Sequence, residues 1–465
     1  MKKILLIHPI VRKWAKPNCF PTGLGYIASV FENKNWDVTV LDLNADRDAA
    51  IPQICYKPDL VGITGIITQY SEVKKIAQRC RVAYGDIPIV AGGPLASSVP
   101  ELLLSKTCVD ICVRGEGERV AAMLADAVQP IKTRNMIYQV QAHKNISDFH
   151  MPTYHLFPTD VYVKNPIAAD NTRKWKDGEP SYTKRRSINI IGSRGCPFNC
   201  IYCAHNYMGQ GWRKRENLDI LNEMLFLKNK YDVDYIHFTD DAFSCSNKAM
   251  QEFSSAKKKN RYLRDVKWSC AGRANVVTDI MVKKMKQSGC IGLCYGLESG
   301  SQKILNNLNK KITIQQYEKA IKLNKKYFDY EDYTFIIGSP GESIDTIKES
   351  IDFCKRNEIV PSAAFFLTPY PGTPLFDMMV DKGQINPKDH NLMDKFVDRL
   401  GEQGEQLIWN FTDVPDSEVL DWHGYFLEET GAQNTKKHTS TDNNIYVNGK
   451  LNPKWDLPII PDCEH

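Results

Sequence analysis

No stretch of this 465-residue chain approaches the roughly 20 consecutive apolar residues that a membrane-crossing helix needs. The short apolar run at 4–7 stops at His8-Pro9, well short of a signal-peptide core, so a cytoplasmic address and no membrane partner are expected. Charge of one sign is also scarce. The formal net charge is +5, and Lys184-Arg185-Arg186 and Lys257-Lys258-Lys259 are isolated basic clusters. Nucleic-acid binding needs a broader basic surface, so no nucleic-acid partner is expected. No Gly-x-Gly-x-x-Gly follows the first apolar run, and a dinucleotide site therefore lacks its fingerprint. The fourteen cysteines are scattered through a large chain without a secretion signal, which fits reduced thiols rather than a disulfide framework.

At this length two to three domains of about 150 residues each are expected. Up to about residue 128, apolar runs at 3–8, 38–43, 60–66, 87–91 and 109–113 alternate with helix-like stretches at 25–33, 70–84, 99–105 and 118–128. Continuous apolar strands between helices predict a doubly wound parallel sheet, of Rossmann or flavodoxin-like type, covered on both faces. Residues 131–186 break this pattern and read as an interdomain linker, with a polar exposed loop at 170–187. A second alternation begins at 187. Strands are expected at 188–192, 235–239, 266–271, 292–297, 334–338 and 363–368, with helices at 217–231, 248–262, 278–287, 314–327 and 344–356. Six such units predict a partial (β/α)6 barrel over 187–380 with its site at the strand carboxyl ends. A mainly helical and irregular extension follows over 381–465, with a mobile polar stretch at 434–444.

In open parallel sheets, ligands lie beyond the carboxyl ends of the strands. In the first half those ends carry Thr64-Gly65, Gly92-Gly93-Pro94 and Gly115-Glu116, where glycines permit close approach of a large flat ligand to backbone. Any one of them serves equally well as a tight turn. In the second half the strand ends carry Asp240-Asp241, Arg273, Glu298, and Gly338-Ser339-Pro340. Carboxylates and an arginine around one mouth suit a zwitterionic amino acid and a ribose, and glycines admit a planar base. Taken singly, an aspartate here can cap a helix and Glu298 can pair with a lysine.

The first barrel strand runs into Gly192-Ser-Arg-Gly-Cys196-Pro-Phe-Asn-Cys200-Ile-Tyr202-Cys203. Three thiolates at this spacing suit an iron–sulfur cluster or zinc. Both normally take four ligands, so a set of three implies a distant fourth cysteine or an iron left open. No other group of cysteines forms a comparable triplet; Cys290 and Cys294 read as core residues of a buried strand.

The motif Cys196-x-x-x-Cys200-x-Tyr202-Cys203 resembles the signature of the radical S-adenosylmethionine superfamily. Gly296-Leu-Glu-Ser-Gly-Ser301 and Pro369-Tyr-Pro-Gly-Thr-Pro374 resemble the branch with an amino-terminal cobalamin-binding domain. The resemblance spans about residues 1–380. It implies that Cys196, Cys200 and Cys203 ligate a [4Fe-4S] cluster whose fourth iron is chelated by S-adenosylmethionine, cleaved to a 5′-deoxyadenosyl radical. It further implies Asp240 and Asp241 at the methionine amine, Arg273 and Glu298 at carboxylate or ribose, and Tyr202, Gly338 and Pro340 beside adenine. Thr64, Gly65, Gly92, Gly93, Pro94, Gly115 and Glu116 would cradle cobalamin over residues 1–130. The second-strand motif is Thr-Asp-Asp here, not a glycine pair with glutamate. The cobalt-ligating pattern Asp-x-His-x-x-Gly is missing after the first strand, so no histidine is expected beneath the metal. The implied activity is a cobalamin-dependent methyltransferase, acting through methylcobalamin on an unactivated carbon of a small molecule or peptide. The alternative is a non-methylating cyclisation, oxidation, decarboxylation or rearrangement. An external electron donor such as flavodoxin or ferredoxin is implied in either case.

Overall fold

Ile4, Leu5, Leu6 and Ile7 are buried on both sides of one strand: Ile4 and Leu6 face one core, Leu5 and Ile7 another. That strand, β1 (Lys3–His8), sits inside a six-stranded parallel sheet with β2 (Asp37–Asp42), β3 (Leu60–Thr64), β4 (Ile89–Gly92), β5 (Ile111–Arg114) and β6 (Met136–Gln139). The order is β2-β1-β3-β4-β5-β6, with Ile4 paired to Val38 on one side and Leu60 on the other. Strand order therefore reverses between β1 and β3, the switch point where such sheets bind ligands. Helices α1 (Thr22–Asn33), through Leu24, Ala28 and Phe31, and α5 (Glu118–Asp126), through Val120 and Leu124, pack with the Ile4 face. Helices α2 (Tyr70–Tyr84), α3 (Gly93–Ser98) and α4 (Pro100–Lys106) pack with the Leu5 face through Val73, Leu95 and Leu103.

A computed structural model describes residues 1–12, 16–47, 49, 57–127, 134–165, 186–204, 211–328, 330–400, 406–432, 446–447 and 450–451. Most of the polar loop expected at 170–187, and the stretch expected to be mobile at 434–444, lie outside these residues. Within 131–186, read as a linker, Met136–Gln139 is the edge strand of the first sheet, and α6 (Thr159–Lys164) packs beside the strand Ser187–Ile190. Among the described residues eleven cysteines are free thiols, whereas Cys108 is disulfide-bonded, against the expectation of reduced thiols throughout. Among the described residues no helix is long and apolar enough to cross a membrane.

The second sheet is also all parallel and runs in chain order: β7 (Ser187–Ile190), β10 (Tyr235–Phe238), β11 (Lys267–Ala271), β12 (Cys290–Glu298), β13 (Tyr330–Ile337) and β14 (Ala363–Phe366). An antiparallel ribbon of β8 (Ser193–Arg194) and β9 (Arg213–Lys214) follows β7. Helices α7 (Asn217–Tyr231), α8 (Asn247–Lys259), α9 (Asp279–Gln287), α10 (Gln302–Asn307), α11 (Ile314–Tyr327) and α12 (Ile344–Arg356) form the outer layer. Their starts are written locally: Ser246, Thr278 and Thr313 each accept a hydrogen bond from the first turn, and Thr313 forms a capping box with Gln316. This is the partial (β/α)6 barrel expected from the alternation. After it, α13 (Pro374–Asp381) and α14 (His390–Asp398) lay Phe376, Met393 and Phe396 into the core of the first sheet. Helix α15 (Asp416–Thr430) covers β13 and β14, with Phe426 against Phe335 and His423 Nε2 3.0 Å from the Ala364 carbonyl.

Candidate active site

The cysteine loop is built by its neighbours. Gly192 cannot carry a side chain, since a Cβ would lie 2.3 Å from the Phe243 ring, and its N–H donates to Asp240. Ile201 N–H donates to the Leu308 carbonyl (3.1 Å), Leu375 N–H to Ile201 (2.8 Å), and Asn309 Nδ2 to Asn199 (2.6 Å). Within this frame Cys200 is buried and Cys196 and Cys203 are half-buried. Burial raises the Cys196 thiol, and burial with the charges of Asp241, Cys200 and Cys196 pushes Cys203 up to about 12. Cys203 feels the charge of both Cys196 and Cys200, and Cys196 that of Cys200, so the three lie in one neighbourhood of soft donors, which fits a polynuclear cluster. Among the described residues no three His, Cys, Asp or Glu side chains converge as one metal ion would require; a cluster that gives each thiolate its own iron makes no such demand. A bound cation would remove the thiol protons that burial otherwise retains. Cys245, which sequence reasoning set aside, lies within electrostatic reach of Cys196.

The two adjacent aspartates differ. Asp240 is buried and turned toward the cysteine loop's base, accepting from Gly192 N–H and Ser193 Oγ, and burial moves its pKa up to about 7. Asp241 is exposed and its charge reaches Cys196 and Cys203. Arg273 stacks over Phe198 of the cysteine loop at 3.4 Å and donates to the Lys310 carbonyl. Glu298 is buried, with Oε1 accepting from Tyr202 Oη (2.8 Å) and Lys310 Nζ (2.7 Å), while Lys310 also donates to Tyr202 Oη (2.8 Å). The lysine partner foreseen as the bland role of Glu298 thus exists, and it lies at the mouth. Gly338 and Ser339 donate their N–H groups to Glu342, whose pKa burial raises to about 7, and the Pro340 carbonyl accepts from Asn307. Lys310 was missed because a lysine in an Asn-Lys-Lys turn reads as solvated; nothing in the sequence marks it as buried.

In the first sheet, Thr64, Gly65, Gly92, Gly93 and Pro94 come together at the ends of β3 and β4. A Cβ on Gly93, at φ +80°, would lie 2.9 Å from Thr64 Oγ1, and Leu95 N–H donates to Gly65. A Cβ on Gly92, which pairs with Thr64, would meet nothing, and Ile66 two residues beyond Thr64 is 41% exposed, so these strand ends leave an open ledge suited to a large flat ligand such as a corrin. His8, by contrast, is buried against Asp42, which also accepts from Tyr162. Gly115 N–H donates to Ser97 Oγ. Glu116 turns away from the ledge: it accepts from His143 N–H (2.8 Å) and pairs with Arg213 (2.8 Å) and, at 3.7 Å, Arg194. Arg194 pairs in turn with Glu118 at 2.6 Å. Both arginines belong to the β8–β9 ribbon, so the β5 end of one sheet is bound to the segment that runs into Cys196.

Residues 190–354 match the model of the radical SAM superfamily, and residues 10–125 match the B12 binding domain. The chain is a cobalamin-dependent radical S-adenosylmethionine enzyme. Its cofactors are a [4Fe-4S] cluster, S-adenosylmethionine and cobalamin. This radical S-adenosylmethionine enzyme is 29% identical over 403 residues to the uncharacterized methyltransferase PH0819 of Pyrococcus horikoshii, covering 81% of this chain and 83% of that one. It is 26% identical over 417 residues to an anaerobic magnesium-protoporphyrin IX monomethyl ester cyclase of Rubrivivax gelatinosus, covering 82% and 71%. Its fold is that of the radical S-adenosylmethionine methyltransferase TsrM of Kitasatospora setae, with TM-score 0.62, 19% identity, and coverage of 82% of this chain and 75% of that one.

Proposed function

We propose that this enzyme is a methyltransferase that delivers a methyl group from cobalamin to an unactivated carbon of a small-molecule substrate. The supporting observation is the ion-paired junction Glu116/Glu118 to Arg194/Arg213. It fixes the β5 end of the first sheet to the segment that runs into Cys196, as a reaction that uses both cofactors on one substrate requires. The likeness to a relative named as a methyltransferase over 81% of the chain supports the same reading, and TsrM has been solved with a tryptophan substrate.

In this reading Cys196, Cys200 and Cys203 hold the cluster. Asp241 faces the ligand amine, while Asp240 braces the loop from below. Glu298 offers Oε2, the oxygen that Lys310 and Tyr202 leave open, to a ribose hydroxyl. Arg273 fixes Phe198, and Tyr202 with Gly338 and Pro340 flanks the adenine. The ledge of Thr64, Gly65, Gly92, Gly93, Pro94 and Gly115 carries the corrin without a histidine beneath cobalt, and Glu116 serves the junction. When bound, the cluster with S-adenosylmethionine supplies a radical that removes hydrogen, and cobalamin carries the methyl group. Electrons come from an external donor of the flavodoxin or ferredoxin kind, and the enzyme works in the cytoplasm.

A second reading keeps the radical and drops the methyl transfer; the similarity to a cyclase over 82% of the chain favours it. The two part on S-adenosylhomocysteine. Protein reconstituted anaerobically with iron, sulfide and cobalamin, then reduced and given S-adenosylmethionine, is expected to form S-adenosylhomocysteine up to about one equivalent per cobalamin before any substrate is added. Release of 5′-deoxyadenosine with no S-adenosylhomocysteine would establish the second reading instead.

A further inference from the structure

Among the described residues seven non-glycine positions have positive φ, and three of them surround one side chain: Glu298 (64°), Asn309 (53°) and Lys311 (54°). Left-handed backbone at an ordinary residue is strained and persists only where its surroundings enforce it. Asn309 and Lys311 flank Lys310, and the turn they make leaves Lys311 exposed while burying Lys310 to 8% exposure. Glu298 stands where the β12–β13 register shifts, its carboxylate folded back over Gly296, where a Cβ would lie 2.4 Å from Oε1. Burial works against the Lys310 cation, but Glu298, Tyr317 and Cys200 together outweigh it and raise the lysine's pKa, so the lysine is charged. Three left-handed residues, two of them of types that rarely adopt that backbone, thus converge on one buried ion pair, and Tyr202, which both partners bind, lies between two of the cysteines.

We propose that Lys310 is a positioning residue of the S-adenosylmethionine site: it fixes the Glu298 carboxylate and the Tyr202 hydroxyl in the arrangement that receives the ligand. The proposal rests on the reading that the three cysteines and S-adenosylmethionine share this mouth. Lys310 Nζ holds Glu298 Oε1 and leaves Oε2 directed to the ligand. The same ammonium holds Tyr202 Oη, and with it the ring that flanks the base. The Lys310 carbonyl anchors Arg273, which lies on Phe198 at the other end of the cysteine loop. One turn thereby sets three of the side chains around the ligand. A lysine serving only to stabilise the barrel would not need a strained turn at the mouth, nor a partner inside the cysteine loop.

The test uses the full-length protein reconstituted with iron and sulfide, with S-adenosylmethionine itself as the probe. Iron content reports the cluster, and the change that added S-adenosylmethionine makes in the electron paramagnetic resonance spectrum of the reduced cluster, titrated, reports the site. Lys310→Met is expected to keep its iron and to weaken the apparent affinity for S-adenosylmethionine about tenfold or more, because it leaves Glu298 charged without its partner. Lys310→Met/Glu298→Gln is expected to recover to within about threefold of Glu298→Gln alone, since the uncompensated charge is gone. If Lys310→Met loses its iron, recovery of iron and of the spectral response in the double variant still supports the assignment. A Lys310→Met protein that titrates like wild type overturns it. So does a double variant that stays without iron while Glu298→Gln keeps it, for then the lysine serves the fold. A wild-type cluster that S-adenosylmethionine does not perturb overturns the reading of the site itself, and the role of Lys310 with it.

Discussion

Gly296 and Gly424 make opposite demands although both are glycines. A Cβ on Gly296 would press on Glu298 Oε1, an oxygen already held by Lys310 and Tyr202, whereas a Cβ on Gly424, inside α15, meets nothing. Gly296→Ala is expected to cost about 2 kcal/mol of stability by overpacking, and Gly424→Ala to add roughly 0.5–1 kcal/mol through helix propensity. Urea unfolding of the two proteins checks both signs. Glu342 makes a second prediction at this scale. Burial raises its carboxyl to about 7 although Gly338 and Ser339 donate to it, and its Oε1 finds no hydrogen-bond partner among the described residues. With the folded pKa above the unfolded one, the folded chain binds the extra proton. The stability this gives is full below the unfolded pKa near 4.5 and lost as pH rises through about 7. The loss from Glu342 is on the order of 3 kcal/mol. Glu342→Gln is expected to flatten the fall in denaturant midpoint between these pH values; an unchanged slope would contradict the account.

At the scale of elements, the β8–β9 ribbon carries the most consequence for its length. Arg194 is 6% exposed, stacked over Tyr26 and Phe149, and paired with Glu118 from α5. Glu118→Ala is expected to cost about 3 kcal/mol, because a buried guanidinium loses its closest counter-charge. Glu118→Ala/Arg194→Met is expected to lose less than the sum of its single variants, and a double-mutant cycle in urea measures the difference. The ribbon was not legible in the sequence: two residues per strand leave no period to read, and the partner carboxylates lie far away along the chain, Glu118 being 76 positions from Arg194. The edge strand Met136–Gln139 escaped for a related reason, since its exposure pattern is that of a half-solvated segment, without the apolar run of β1 or β3. The helices at 217–231, 314–327 and 344–356 were read to the residue; the last two start in capping boxes at Thr313 and Ser343, whereas Glu216 gives the first no side-chain cap. Adjacent Asp240 and Asp241 could be placed at one strand end, but only the N–H of Gly192 decides which one turns inward.

Across the whole molecule, two parallel sheets are joined by the Arg194–Glu118 and Arg213–Glu116 ion pairs, and the carboxyl-terminal helices pack on both. Helix α14 binds the first sheet through Asp394 on Lys74 (3.0 Å), and α15 seals the open side of β13 and β14. Both architectures were legible because buried parallel strands are continuous apolar runs; the way the halves meet was not, since it depends on ion pairs between distant segments. The claim on which everything else depends is that Cys196, Cys200 and Cys203 jointly hold one cluster. The most direct measurement is iron and acid-labile sulfide per chain after anaerobic reconstitution, for wild type and for Cys196→Ala/Cys200→Ala/Cys203→Ala, with 5′-deoxyadenosine release assayed on the same samples. The account predicts about four irons and four sulfides with 5′-deoxyadenosine release for wild type, and neither cluster nor product for the variant. A variant that retains its cluster and still cleaves S-adenosylmethionine would contradict it.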